Sequence, residues 1–423
     1  MFVLCDTFRQ DIVNSQALIA DAMKLLLYNQ APELFESLDF EQDDVFLEPL
    51  LFAYFNHGHR DPCVTLQQLL FGYHDWDTRP SRIPVMSDRN GIVYLPQIGY
   101  FKTGVKKAQL DLVCQNGAFH LRQSGQNLPY TFEDRLLVAD GKLEVYRYNH
   151  PLFRPYYRPY DPWDKQLPPV EVDVEDAVKR HLPALIKAFD ILKQYCPLFY
   201  DEILTTNRSI TLFHNPAVYC FVTMCIHGAV FLTTLLENDE VFFLEELMHQ
   251  CSHNTFNTML FPKTDYFNID VEREMLGEHL NVLNETRTIY SALHGLYTVV
   301  KRYEGLDVLY HEDFFRAQQK HELLGRIGDI KKRLNTGLDG LDFDKVYTPK
   351  GREMYELLKQ IGDDMAGRLH AIDGVFDFSN QPGEFSYAKF SERNPLAQFW
   401  PIASRFPVER KEGAGKSCVP LAV

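Results

Sequence analysis

Two histidines four residues apart, His249 and His253, stand in the stretch ELMHQCSH that begins at Glu246. Residues at i and i+4 share a helical face, so both imidazoles can point at one atom. The run from Asp239 to Leu260 has no Gly or Pro and carries Val241, Phe242, Leu244, Leu247, Met248, Cys251, Phe256, Met259 and Leu260, which predicts a largely apolar, buried helix. Polar residues on such a helix need partners. Glu246, His249, Gln250, His253 and Asn257 fall on one strip at spacings of three and four, and two neutral imidazoles there are the natural start of a metal site. The plainer reading of the same pattern is a pair of core histidines satisfied by hydrogen bonds.

The spacing matches the HExxH pattern of zinc peptidases except that Gln250 stands where a glutamate would deprotonate a metal-bound water. An amide cannot act as that base. Peptidase chemistry is disfavoured, while metal ligation by His249 and His253 is untouched. Two candidates for a third ligand lie downstream. Glu278 follows His253 after 24 intervening residues, a separation at which some zinc peptidases supply a glutamate from the next helix. His294 lies in the segment NETRTIYSALHGLY, from Asn284 to Tyr297, which also reads as helix with Ile289, Leu293, Leu296 and Val300 on its apolar side. Arg287, Ser291, His294 and Thr298 share the other side. On a helix, seven residues separate Arg287 from His294 by about 10 Å along the axis, so a guanidinium could reach an anionic cosubstrate held near the histidine.

The order of these features resembles a known family: a strand at Gly228–Leu232, the helix carrying His249, His253 and Asn257, then Arg287 and the LHGLY stretch from Leu293 to Tyr297. It is similar to the HExxH-motif proteins of peptide natural-product (RiPP) pathways, which are iron(II)- and 2-oxoglutarate-dependent peptide β-hydroxylases. The resemblance covers roughly residues 205 to 305. It implies His249, His253 and His294 as iron ligands, Arg287 as a contact for a 2-oxoglutarate carboxylate, and Fe(II), 2-oxoglutarate and O2 as cofactor and cosubstrates. It further implies a peptide or precursor peptide as substrate. The departure at Gln250 weighs against hydrolysis more than against oxygenation, where the oxidant comes from O2 and the cosubstrate.

Ligand type alone leaves the metal open, since imidazole suits zinc, iron, copper and nickel. An all-histidine set also differs from the common triad of two histidines and a carboxylate, which keeps Glu278 in competition with His294. Either set leaves positions open for a 2-oxoacid and O2. Glu245 and Glu246, one turn before His249, either accept its ring N–H or serve as acidic residues favoured in a first helical turn. Cys251, rotated away from both histidines, reads as a small buried apolar residue.

The elements that must position these groups make an α+β chain, with a mainly helical catalytic region, an antiparallel β module and the metal-binding HxxxH helix. At 423 residues, 45% apolar and 13% aromatic, it exceeds one typical domain and can fill a sizeable core. We divide it into an N-terminal helical region (1–78), a β-rich module with a Pro/aromatic linker (79–168), the metal-binding catalytic region (169–310), and C-terminal helices with a tail (311–423). The net charge of −15 without a basic stripe argues against nucleic acid as a partner. An acidic body is compatible with a basic peptide, as it is with acidic enzymes generally. Eight cysteines without a CxxC pair fit reduced thiols in the cytoplasm. No apolar run reaches membrane-spanning length, and no targeting signal stands at the start, so a cytoplasmic, membrane-free protein is expected.

Strands are expected at 92–95, 110–114, 118–121, 143–146, 210–213 and 229–232, with turns at Asp88–Gly91 and Ala139–Gly141. Residues 152–163, rich in Pro and aromatics, read as an extended linker on the surface. Helices are expected from Val172 to Tyr195, from Glu312 to Leu334, and from Thr348, as N-cap, to Ile372. The tail after Asn380 is expected to be irregular, with Gly413 to Val423 mobile. Three functions compete on this reading: the peptide hydroxylase, a zinc-dependent hydrolase with an atypical base, and a non-catalytic peptide-binding scaffold.

Overall fold

The HxxxH helix spans Glu240–Met259, with Asp239 as its N-cap accepting the Val241 N–H at 2.9 Å. It ends just before Phe261-Pro262, since the residue ahead of a proline is pushed out of the helical region. In the computed structural model, residues 3–56, 63–115, 117–160, 167–312, 314–334, 336–372 and 374–403 are described. Helix makes up 52% and strand 15%, with antiparallel sheets present, so the chain is α+β.

Among the described residues eleven strands form three sheets. They are β1 (Arg82–Met86), β2 (Ile92–Leu95), β3 (Gly99–Lys102), β4 (Gln109–Gln115), β5 (Ala118–Gln123), β6 (Gln126–Leu128), β7 (Thr131–Asp134), β8 (Leu136–Val138), β9 (Leu143–Val145), β10 (Ser209–Phe213) and β11 (Ala229–Thr233). The orders β1-β4-β5-β6 and β2-β3-β7 are antiparallel throughout, which is the expected β module. The third sheet, β11-β10-β9-β8, is mixed. There β10 runs parallel to both β11 and β9, pairing Ile210 with Val230 and Ser209 with Glu144. Every residue of β10 is buried, as parallel strands covered on both faces require. This sheet carries the end of the β module into the helical region.

The largest apolar cluster draws on all four segments expected from sequence, from Leu27 through Phe153 and Phe231 to Met365. At ~1.5–3 kcal/mol for each fully buried large apolar side chain, it is the main term holding the fold together. A second cluster joins Phe256 and Met259 of the HxxxH helix to Leu293, Tyr297 and Tyr355.

Several expectations are corrected. The Pro/aromatic stretch is not a surface linker: Phe153 and Tyr157 are completely buried, packing on Phe231 and Phe213 with ring centroids 5.0 and 5.2 Å apart. Its aromatic rings, not its prolines, decide its place; residues 161–166 lie outside the described residues. A helix at Pro197–Thr206, opened by Pro197 in the first turn, was not expected. The tail after Asn380 contains helices Tyr387–Arg393 and Leu396–Ala403, because Phe390 and Phe399 find core positions; Gly413 to Val423 lie outside the described residues. Helix Pro349–Arg368 starts as read, with the Thr348 side chain accepting the Gly351 N–H. Among the described residues no helix is long and apolar enough to cross a membrane.

Candidate metal centre

Seventeen of the twenty residues of the HxxxH helix are buried. The three that reach solvent are His249, His253 and Asn257, at successive spacings of four. A helix enclosed on every other side therefore opens along one line, and that line is the polar strip with its imidazoles. The facing wall is the helix Ile289–His311, which brings His294. The two helices pack closely where Gly305 meets Met248. A Cβ on Gly305 would lie 2.4 Å from the Met248 sulfur, so a side chain there would have to displace the end of Met248.

His253 Nδ1 and His294 Nε2 are 2.6 Å apart, with ring centroids 4.2 Å apart. Two ring nitrogens aimed at each other either share a proton or face one cation. The His249 ring is 4.8 Å from that of His253. Phe256 stacks on His294 at 5.3 Å and fixes its plane. The Tyr290 hydroxyl donates to Asn257 Oδ1 at 2.5 Å, tying the two helices together at one end of the opening. On the same wall, a Cβ at Gly295 would meet nothing within 4 Å, so the groove is open beside His294. Glu278 is exposed on the short helix Leu276–Leu280. The structure thus brings His294 to the HxxxH pair and leaves Glu278 at the surface.

Burial, reinforced by His294, His249 and Arg302, pushes His253 well below the ordinary imidazole value. Burial likewise brings His294 down to about 4, with His249 adding to the effect. Both rings are therefore neutral near pH 7, the form that donates a lone pair to a metal. His249 turns Nδ1 toward Glu246 and Gln250. The Gln250 amide donates to Glu246 Oε2 at 3.2 Å and lies 3.3 Å from His249 Nδ1, while Glu246 Oε2 is 3.8 Å from that nitrogen. Gln250 thus bridges the histidine and the glutamate, and Nε2 of His249 is the nitrogen turned away from them.

By distance alone, the set of three ligand atoms within 4.8 Å of one another among the described residues is Glu245, Glu246 and His249. Charge argues against a cation there. Glu245 is clamped between the Arg302 guanidinium and Arg326, whose Nη1 donates to it at 2.7 Å. Burial works against the charge of Glu246, but His249, Arg302 and Arg326 outweigh it and hold its carboxyl down to about 2. Two guanidiniums already supply the positive charge that an ion at this carboxylate pair would bring. His253 and His294, by contrast, offer neutral nitrogen donors of the kind a transition-metal ion takes.

Arg287 lies outside the helix it was expected to share with His294. Thr288 is the N-cap, its side chain accepting the Ser291 N–H at 3.1 Å, so helical spacing does not relate Arg287 to His294. Its guanidinium donates through Nε and Nη2 to Glu285 and through Nη2 to the Thr336 carbonyl.

Sequence reasoning missed Arg302, Arg326, Glu322 and Glu384. Arg302 sits eight residues beyond His294 on the same helix, a spacing that could have flagged it, and its Nε has no hydrogen-bond partner. Arg326, 2% exposed, also binds Glu322 at 2.7 Å. Glu384 comes from the C-terminal segment, and burial beside Glu246 and Glu245 raises it to about 8; nothing local in the sequence announces it. Compared with known proteins, the chain matches no family model and no curated sequence.

Proposed function

We propose that this chain is a non-haem iron(II)/2-oxoglutarate-dependent oxygenase that hydroxylates a side chain, at Cβ, in a peptide or RiPP precursor. The observation that carries the reading is the exposure pattern of the HxxxH helix: buried everywhere except at His249, His253 and Asn257, and met across the opening by His294. A pair of core histidines would have no need of such an opening. Iron with 2-oxoglutarate and O2 supplies the oxidising power for C–H cleavage. The residues of the chain hold and orient.

His249, His253 and His294 would hold the ion. Glu246 and Gln250 set the rotation of the His249 ring, as partners of a ligand's second nitrogen do elsewhere. Phe256 keeps His294 in plane and covers one side with apolar surface. The Tyr290–Asn257 hydrogen bond presents a polar edge to a peptide backbone at the groove wall. Two guanidiniums are candidates for the 2-oxoglutarate carboxylate. Arg287 is paired with Glu285 and Arg302 with Glu245, but Arg302 lies near enough to His253 to depress its basicity and keeps Nε without a hydrogen-bond partner.

A second reading, a zinc-dependent hydrolase, draws support from Glu246. It is an ionised carboxylate one turn from His249 and stands in for the base that Gln250 cannot provide. Anaerobic reconstitution with iron(II), followed by 2-oxoglutarate, tests the two. A visible charge-transfer band is expected for the oxygenase. No band, with tightly held zinc and release of a cleaved peptide, would move the assignment to the hydrolase. Failure to bind either metal would leave a peptide-binding scaffold.

A further inference from the structure

Away from the histidines, three helices bring together three residues that the proposed chemistry does not use. Cys5 lies on the helix Val3–Thr7, Glu202 on Pro197–Thr206, and Lys301 on Ile289–His311, two turns beyond His294. Lys301 is completely buried, Cys5 is 5% exposed and Glu202 7%. The Lys301 ammonium donates to Glu202 Oε1 at 2.8 Å and Oε2 at 3.0 Å, and it lies 4.8 Å from the centre of the Phe199 ring. It also meets Cys5 Sγ, at 2.8 Å.

A buried ammonium is costly unless it is answered, and here Glu202 and the aromatic face answer it. Sulfur adds little to that, because a thiol is a weak acceptor. What the Cys5–Lys301 contact provides is proximity: an amine nitrogen and an oxidisable sulfur sit closer than the sum of their van der Waals radii, with a carboxylate in contact to take the nitrogen's proton. A second observation gives the sulfur a route to solvent. A pocket of about 340 Å³ is lined by Cys5 and Glu202 together with Asp6, Arg9 and Asp201, which are exposed. Hydrogen peroxide is small enough to enter it. The helix Val3–Thr7, five residues long, is held only by its packing, so local opening widens the way.

We propose that Cys5 and Lys301 are the two halves of an oxidative cross-link, a thiol-reducible S–N bond formed when peroxide reaches this pocket. Peroxide gives one oxygen to Sγ, its O–O bond breaks, and the departing hydroxide takes the thiol proton as water, leaving Cys5 as a sulfenic acid. Lys301 passes one proton to Glu202, and its freed lone pair attacks the sulfur. The S–N bond forms, the S–O bond breaks, and hydroxide leaves as a second water with another amine proton. Sulfur is thereby oxidised by two electrons while one peroxide becomes two waters. A buried ammonium–carboxylate pair is replaced by a sulfenamide beside a carboxylic acid, which removes two charges from the interior. Sulfenic acids condense with backbone nitrogen in the same way. Burial and Glu202 push the Cys5 thiol up and Lys301 offsets only part of this, so the sulfur carries its proton at rest and the reaction answers sustained oxidant rather than a brief pulse. The link fastens Val3–Thr7 to the helix that carries His294. It stands without the metal-centre reading, because none of the three residues belongs to that centre.

The test exposes the full, folded chain, free of iron so that peroxide is not diverted, to a sustained excess of hydrogen peroxide. Remaining thiols are then alkylated, and the chain is digested with trypsin and mapped by mass spectrometry. The expected product is the Cys5 peptide joined to the Lys301 peptide, lighter by about 2 Da than the two together because two hydrogens are lost. Trypsin no longer cuts after Lys301 in that product, and dithiothreitol before digestion abolishes it. Cys5→Ser, which keeps a hydroxyl for the ammonium to meet, should remove the joined species, whereas Cys114→Ser should leave it unchanged. The parent chain carries the test by itself, whether or not a variant folds. Cys5 recovered as a free thiol or a sulfinic acid with Lys301 still cleaved, Cys5 joined instead to another cysteine, or a joined species that survives dithiothreitol would each overturn the proposal. None of these outcomes touches the iron experiment, so the two readings fail separately.

Discussion

Two buried groups of carboxylates in this molecule look alike in sequence and behave oppositely. Around the HxxxH helix, Glu245, Glu246 and Glu322 are answered by Arg302 and Arg326, and the charges close on themselves inside the protein. Around β9, Glu48 and Glu144 are met mostly by tyrosine hydroxyls, with the guanidiniums of Arg135 and Arg208 farther off. The first group can serve as rigid support for neighbouring histidines because two guanidiniums in direct contact hold its carboxylates in place. The second faces an open cleft, with hydroxyls rather than guanidiniums in closest contact. The difference lies in how directly the counter-charge touches the carboxylates and not in burial, since all five are less than a tenth exposed.

The widest contrast between the two regions is chemical. His253→Ala or His294→Ala is expected to abolish iron binding and turnover, while Glu278→Ala and Glu144→Gln keep iron bound; equilibrium dialysis with iron(II) measures this. Iron retained by the His294 variant would remove it from the ligand set.

Next in size is stability. Arg326→Met leaves Glu245 and Glu322 short of a buried partner and should cost about 3–5 kcal/mol in urea unfolding, the usual penalty for breaking a buried pair from one side. An unchanged midpoint would mean that Arg326 does not hold Glu245 and Glu322 in the way described.

The second group should show the opposite sign. Glu144 has its folded value raised from 4.5 to about 7, so the folded state binds the extra proton and stability falls as pH rises between those values. Glu144→Gln should remove that part of the slope, up to about 3 kcal/mol across the window. Equal slopes for parent and variant in pH-resolved denaturation would show that Glu144 is compensated after all.

A smaller effect separates the two arginines. Replacing the one that contacts the cosubstrate should raise the 2-oxoglutarate requirement about tenfold with little change for peptide, as expected on loss of one charge-assisted contact. Arg302→Lys and Arg287→Ala, assayed side by side, identify which it is; no shift in either would remove both from the site.

The part of this arrangement that was readable in sequence is local. The HxxxH helix follows from a run without Gly or Pro behind an Asp cap, and its polar strip from spacing alone. The convergence of His294 was one of two options, because spacing limits which faces residues share and not which helices meet. The onset of the His294 helix was misplaced since Asn284, Glu285 and Thr286 tolerate helix as well as loop; the Thr288 cap decided it. Arg287 went to Glu285, two residues away, a local pairing that helix-face reasoning overlooks. Neither Glu384 beside Glu246 nor Glu48 beside Glu144 is visible without tertiary structure. Each pair joins segments more than 90 residues apart.

The near-complete enclosure of the HxxxH helix has a kinetic meaning as well. A helix packed on all sides but one line cannot fray or open by itself, so its amides should be among the slowest in the chain to exchange with solvent, approaching the limit set by global unfolding. Two of its imidazoles would then be held in place before any ion arrives. Loading would resemble filling a rigid socket, with little refolding to accompany it, in contrast to small domains that acquire their shape only when metal binds.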